Sequence, residues 1–275
     1  MEIQNIYKDM SERTGGNIYI GVIGPVRTGK STFIKRFMET LVIPNIHDEY
    51  RRQRALDELP QSGAGKTVMT AEPKFIPEDA ETISLGEASA NIRMIDCVGF
   101  MVPSALGQFE NEMPRMVTTP WFDHEIPMTE AAEIGTKKVI TDHATIGIMV
   151  TTDGSIAEIP REEYAAAEER VVNELNSYNK PYIILVNSKY PNAKETLALA
   201  NELSDKFNVT ALPVDVMNMD QDKIMKILSA VLYDFPIRML DIYMPRWIDS
   251  LPSEHWLKNI VYGSLASAAD NLKRV

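Results

Sequence analysis

Gly24-Pro25-Val26-Arg27-Thr28-Gly29-Lys30-Ser31 has the form G-x-x-x-x-G-K-[ST], the pattern of a loop that wraps phosphate groups. Its flanks agree with it. Ile18-Tyr19-Ile20-Gly21-Val22-Ile23 is an apolar run that predicts a buried strand, and Phe33, Ile34 and Phe37 after Lys30 share one face of a helix. Gly24 and Gly29 let the backbone turn tightly, so that its N–H groups meet phosphate oxygens where the new helix adds the positive end of its dipole. Lys30 is placed for the β and γ phosphates, Ser31 for Mg²⁺ and Thr32 for a further phosphate hydrogen bond, with Thr28 in the same binding set. The Arg27 guanidinium either supplies in cis the charge of an arginine finger, or points to solvent or an acidic neighbour.

Asp96-Cys97-Val98-Gly99 has the form D-x-x-G and follows the apolar run Asn91 to Ile95. Downstream of a phosphate loop, such a carboxylate orders Mg²⁺ and the glycine N–H can meet the γ phosphate. Thr70 is the first choice for a threonine that swings onto Mg²⁺ when a γ phosphate is present, and Thr67 the second. Gln61, Gln108 and Glu110 are all candidates for orienting the attacking water, and no motif selects among them.

The base-reading loop is informative for what it lacks. P-loop GTPases read guanine with N-K-x-D, whereas here the run Tyr182 to Val186 ends in Asn187-Ser188-Lys189-Tyr190. Without the aspartate, guanine specificity loses its physical basis and adenine is the expected base. Asn187 stays in the nucleotide-binding set, with a role in loop structure.

Apolar runs at Thr145 to Val150, Tyr182 to Val186 and Ala211 to Val214 alternate with helical patterns at 160–178, 194–206 and 220–232. That alternation predicts an α/β fold with a mainly parallel sheet covered by helices on both faces. Pro73 to Ile76 and Asn91 to Ile95 read as two short strands, and residues 43–72, with a helical stretch around Tyr50 to Leu59, and 97–128 as long connections, a common place for function and here for subunit contacts. The expected divisions are an amino-terminal helix packed on the core over 1–16, a P-loop domain over 17–235, and the beginning of a second region over 236–275. In that last region an extended run over Ile237 to Met244 precedes helix around Trp247 to Lys273.

A net charge of −11 argues against a broad nucleic-acid surface. Cys97 is the one cysteine, so no internal disulfide forms, and it reads as a small buried residue beside Asp96. The amino terminus lacks the pattern of a secretory signal, so a cytoplasmic protein is expected, with any membrane contact indirect.

Residues 24 to 32, Asp57 to Ser62, Thr70 to Phe75, Asp96 to Gly99, Pro114-Arg115-Met116, Thr119-Pro120-Trp121 and Ala131 to Thr136 together resemble the amino-terminal part of the stage IV sporulation protein A family. These are spore coat morphogenetic ATPases of endospore-forming bacteria. The resemblance implies a translation-factor-like GTPase fold that hydrolyses ATP to drive self-assembly into the basement layer of the coat, on the mother-cell side of the forespore surface. It implies as partners a small amphipathic membrane-anchoring peptide and other coat or cortex morphogenetic proteins. It gives Lys30 the phosphate-loop role, Asp96 the Mg²⁺-ordering role and Thr70 that of a nucleotide sensor. The family often has two adjacent threonines where this chain has Thr70-Ala71, so one threonine suffices or turnover is slower. The family protein is longer, and its middle and carboxy-terminal regions, absent here beyond about residue 240, carry membrane targeting and part of assembly; a fragment would keep nucleotide binding. The alternatives are a regulatory GTPase-type switch and a nucleotide-binding structural module without turnover.

Overall fold

The run expected to begin the fold forms β1, Asn17–Ile23, and it lies inside a six-stranded sheet. The other strands are β2, Lys74–Leu85; β3, Ala88–Asp96; β4, Ile146–Thr152; β5, Tyr182–Asn187; and β6, Ala211–Val214. They are ordered β6-β5-β4-β1-β3-β2, with every neighbouring pair parallel except β2 and β3. The computed structural model describes residues 3–60, 73–85, 88–105, 107–110, 113–235 and 242–271.

Burial on both faces follows from alternation along each strand. Val22, Ile148 and Ile183 enter one core with Met10 of α1 (Ile3–Arg13), Phe33 and Phe37 of α2 (Lys30–Phe37) and Leu228 of α7 (Gln221–Tyr233). Their neighbours Ile23, Met149 and Ile184 enter the other, with Val171 and Leu175 of α5 (Ala165–Ser177) and Leu203 of α6 (Lys194–Phe207). Each fully buried side chain of this size stabilises the fold by roughly 1.5–3 kcal/mol, which makes the sheet a stiff platform for the loops at its ends.

Because β1 lies between β3 and β4, the strand order reverses direction around it. The chain leaving β1 therefore opens into a crevice at the carboxyl ends of the parallel strands, where α/β folds bind ligands.

Several elements differ from the sequence expectation. The strand expected over Pro73 to Ile76 runs twelve residues and pairs antiparallel with β3 as an edge hairpin. Pro77, Glu78, Asp79 and Glu81 interrupt its apolar pattern, and the pairing register shifts between Ile76 and Glu81, features tolerated at a sheet edge. The connection after β3 is partly ordered into two short antiparallel ribbons, Phe109–Glu110 with Met113–Pro114 and Met116–Val117 with Ile126–Pro127. It leads into α4, Met128–Lys138. The helical stretch expected around Tyr50 to Leu59, by contrast, forms as α3, Glu49–Asp57, capped by the Asp48 carboxylate on the Arg51 amide. The extended run over 237–244 lies mostly outside the described residues, and 242–245 carry no regular structure. The helix expected around Trp247 to Lys273 is two, α8 (Arg246–Asp249) and α9 (Trp256–Asn271), with Pro252 between them.

Candidate functional site

The loop from Gly24 to Gly29 carries positive φ at Gly24, Arg27 and Gly29. A β-carbon at Gly29 would stand 2.3 Å from Asn187 Nδ2, so glycine is required there by both conformation and space. Gly29 then caps α2, whose first residue is Lys30. Thr28 is buried and its hydroxyl donates to the Pro25 carbonyl at 3.0 Å. Its side chain thus holds the loop from within, and its place in the binding set rests on the backbone.

Lys30 is also buried, its ammonium donating to the carbonyls of Gly24 at 3.2 Å and Pro25 at 2.7 Å. An ammonium has three donors, so one is left for a ligand oxygen. Burial pulls its pKa down, opposed by the nearby Cys97 and Asp96. A desolvated cation of this kind under a turn of backbone amides is a place for phosphate.

Ser31 and Asp96 meet across the crevice. The Ser31 hydroxyl donates to Asp96 Oδ2 at 2.7 Å, and Asp96 Oδ1 is buried with no hydrogen-bond partner. Burial pushes the Asp96 carboxyl up, against the Ser31 hydrogen bond and the charges of Lys30 and Lys74. A hydroxyl and a carboxylate oxygen lacking a partner, both hard oxygen donors, fit Mg²⁺, which takes few protein ligands and completes its shell with water and phosphate. Among the described residues no group of three or more His, Cys, Asp or Glu could hold a metal.

Gly99 closes the site from the β3 side. The bridge between Pro25 and Phe100 and the bond from the Val26 amide to the Phe100 carbonyl, 2.9 Å, stitch its segment to the phosphate loop. A β-carbon there would lie 2.0 Å from the Gly24 carbonyl oxygen and 2.6 Å from Lys30 Nζ. Cys97 faces away from solvent, donates to the Val22 carbonyl at 3.1 Å, and is pushed by burial up to about 11.

Asn187 ties the parts together. Its amide donates to the Thr28 carbonyl at 3.0 Å, and its Oδ1 accepts from the Val216 amide at 3.3 Å. One side chain therefore links the phosphate loop to the loops after β5 and β6. Arg27 sits half-buried at the loop's turn, where burial lowers its pKa and nearby Tyr164 opposes the shift. Thr32 is half-buried on the first turn of α2.

Thr70, Thr67 and Gln61 lie outside the described residues. Gln108 donates its amide to the carbonyls of Val102 and Ala105, at 2.7 and 2.9 Å, so it holds its own turn, while Glu110 is exposed on a short ribbon. Sequence reasoning did not single out a buried polar cluster at the end of β4. Glu168 accepts from Thr151 and, at 2.7 Å, from Arg161. Its one signal is a glutamate beside the apolar stripe Ala167, Val171 and Leu175.

A model of the family described as "Stage IV sporulation protein A, ATPase domain" matches residues 1–236. Curated proteins called stage IV sporulation protein A are 48% identical to this chain in Clostridioides difficile (strain 630), over 272 residues, and in Bacillus subtilis (strain 168), over 276 residues. These alignments cover 98% and 100% of this chain, but 55% and 56% of the relatives. The chain thus spans about half the length of the curated relatives it matches.

Proposed function

The chain belongs to the stage IV sporulation protein A family, and on that premise we propose that it binds ATP with Mg²⁺ at the glycine loop and hydrolyses it. The single observation carrying this reading is the pairing of Ser31 with an Asp96 whose second oxygen is buried without a partner, next to the buried Lys30 ammonium. Such an arrangement has two unmet electrostatic needs, an anion for Lys30 and a cation for Asp96. A magnesium triphosphate meets both.

In this reading the loop amides and the start of α2 orient the β phosphate, and the remaining Lys30 donor neutralises charge between the β and γ phosphates. Ser31 and Asp96 would hold Mg²⁺, which would supply positive charge to offset that of the phosphates. Arg27 adds a guanidinium at the loop's turn, and Thr70 is the proposed sensor of the γ phosphate. Asn187 keeps the loop in register.

The same reading assigns the ATPase to sporulation, with hydrolysis coupled to self-assembly into the basement layer of the spore coat in the mother-cell cytoplasm. The proposed partners are a small amphipathic membrane-anchoring peptide and other coat or cortex morphogenetic proteins, with no nucleic acid and only indirect membrane contact. Among the described residues no helix is long and apolar enough to cross a membrane. Lys30→Ala is expected to abolish ATP turnover and nucleotide-dependent sedimentation of the purified chain. Hydrolysis undiminished in that variant would remove the mechanism, and turnover of GTP at the rate of ATP would favour the switch reading instead.

A further inference from the structure

Behind the loop that follows β5, hydrogen bonds run in series. The Tyr190 amide donates to Ser188 Oγ at 2.8 Å, Ser188 Oγ meets Thr196 Oγ1 at 3.4 Å, and Thr196 Oγ1 donates to Asp153 Oδ2 at 2.9 Å. A hydroxyl has one proton, and that of Thr196 is committed to Asp153. The series therefore ends on the Asp153 carboxylate, which the Ser188 hydroxyl reaches as well.

Ser188 and Thr196 are both buried. Burial pushes the Asp153 carboxyl up, but the hydrogen bonds from Ser155, Ser188 and Thr196 outweigh it and hold the group below its ordinary value. Two further bonds fix the same loop, from the Lys189 amide to Ser155 Oγ at 3.0 Å and from the Ala193 amide to the Tyr190 carbonyl at 2.9 Å. The backbone of Tyr190 is held at both its N–H and its C=O, yet its side chain is 67% exposed. An exposed phenol on an anchored backbone is thus presented three residues beyond Asn187, the side chain that touches the phosphate loop.

Two carboxylates of the flanking loops, Asp153 and Asp215, are engaged elsewhere. Guanine presents N–H donors at N1 and N2 and favours a carboxylate, whereas adenine presents a lone pair at N1 that a carboxylate repels. Asp153 is engaged at the end of the series just described. Asp215, on the neighbouring loop after β6, accepts from the amides of Met217 and Asn218 and from Asn218 Nδ2, so it holds its own turn. The residue in the place of the guanine-reading aspartate is Tyr190, which offers a neutral ring face.

We propose that Tyr190 is the base-contacting residue of this site and stacks on the purine, the preference for adenine coming from the lack of a carboxylate at that position, with Asp153, Thr196 and Ser188 as positioning residues that hold the tyrosine's loop. This rests on the ATP reading above. A base stacked on an aromatic side chain contributes about 1–3 kcal/mol by alanine substitution, so the expected effect is of order tenfold in affinity.

The test is ADP and GDP binding, with Mg²⁺, to the purified chain by calorimetry. Tyr190→Ala is expected to weaken ADP and GDP alike, by about tenfold each, and Tyr190→Phe to keep ADP within about threefold of the parent. Thr196→Val is expected to weaken ADP and Thr196→Ser to restore it, and the Thr196→Val loss should disappear in a Tyr190→Ala background. A general folding defect would not produce that dependence. Unchanged ADP affinity in Tyr190→Ala, with the parent binding ADP, overturns this inference alone. A Tyr190→Phe variant as weak as Tyr190→Ala overturns the stacking. A parent chain that binds no ADP overturns the inference together with the ATP reading.

Discussion

Ser31 Oγ lies 2.7 Å from Asp96 Oδ2, on the one oxygen of that carboxylate that has a partner. The other oxygen is desolvated with nothing in return, and the carboxyl's pKa is raised above its ordinary 3.8, burial being the main cause. A raised folded-state pKa means that the folded protein holds this proton more tightly than the unfolded chain. The group's favourable contribution is then full below the unfolded value and is lost as pH rises through the folded one. Asp96→Asn keeps the shape and removes the charge, so it should raise the melting temperature of the nucleotide-free protein at neutral pH and do little near about pH 4. The same change should lower ATP turnover by about a hundredfold or more. Thermal melts at the two pH values, beside a phosphate-release assay, check both halves.

Asn187 holds the Thr28 carbonyl and the Val216 amide at once. Asn187→Ala leaves two buried backbone groups without their partner, at a cost of about 1–3 kcal/mol. Because one of those groups belongs to the phosphate loop, ADP affinity should fall as well. Urea denaturation and calorimetry on the same variant measure the two losses, and a variant with weakened stability but unaltered ADP affinity would separate Asn187 from the nucleotide site.

The parts of the fold readable in sequence are those whose signal is local. The strand, turn and helix around Lys30 stand where the phosphate-loop pattern places them, because Gly29 has no substitute beside Asn187 and the apolar runs have nowhere to go but the sheet interior. The edge hairpin was harder to read. Strand β2 carries Pro77, Glu78, Asp79 and Glu81, and its pairing comes from β3 rather than from its own pattern. The site divides in the same way. Lys30, Ser31 and Asp96 belong to motifs, and the structure brings them together. The Glu168 cluster and the series from Tyr190 to Asp153 join residues that share no motif, each unremarkable alone, so only the packed molecule reveals them.

Gly99 occupies space that no side chain can share. Its φ is +89°, and a β-carbon there would press on the Gly24 carbonyl, 2.0 Å away, and on Lys30 Nζ. The Lys30 side chain is flexible at its tip, but the carbonyl is backbone and must move with the loop. Gly99→Ala is therefore expected to displace the phosphate loop and weaken ADP by about tenfold or more, while far-ultraviolet circular dichroism stays that of the parent. Parental ADP affinity in this variant would mean that the loop can shift at no cost to binding.

An ionic contact at the edge hairpin joins Arg51 of α3 to Glu81 of β2, with Nε to Oε1 and Nη2 to Oε2 both at 3.1 Å. The two partners are unequally placed, since the Glu81 side chain is 8% exposed and that of Arg51 51%. Removing the arginine therefore strands a buried carboxylate, while removing the glutamate leaves an arginine that water can solvate. Arg51→Ala should cost about 1–3 kcal/mol. Glu81→Met, which fills the same space without charge, should cost less, and the double variant Arg51→Ala with Glu81→Met should recover most of what Arg51→Ala loses. Urea denaturation of the three variants measures the cycle. Additive losses would mean that the pair is a surface contact without energetic weight, and that packing of α3 alone holds the helix against the hairpin.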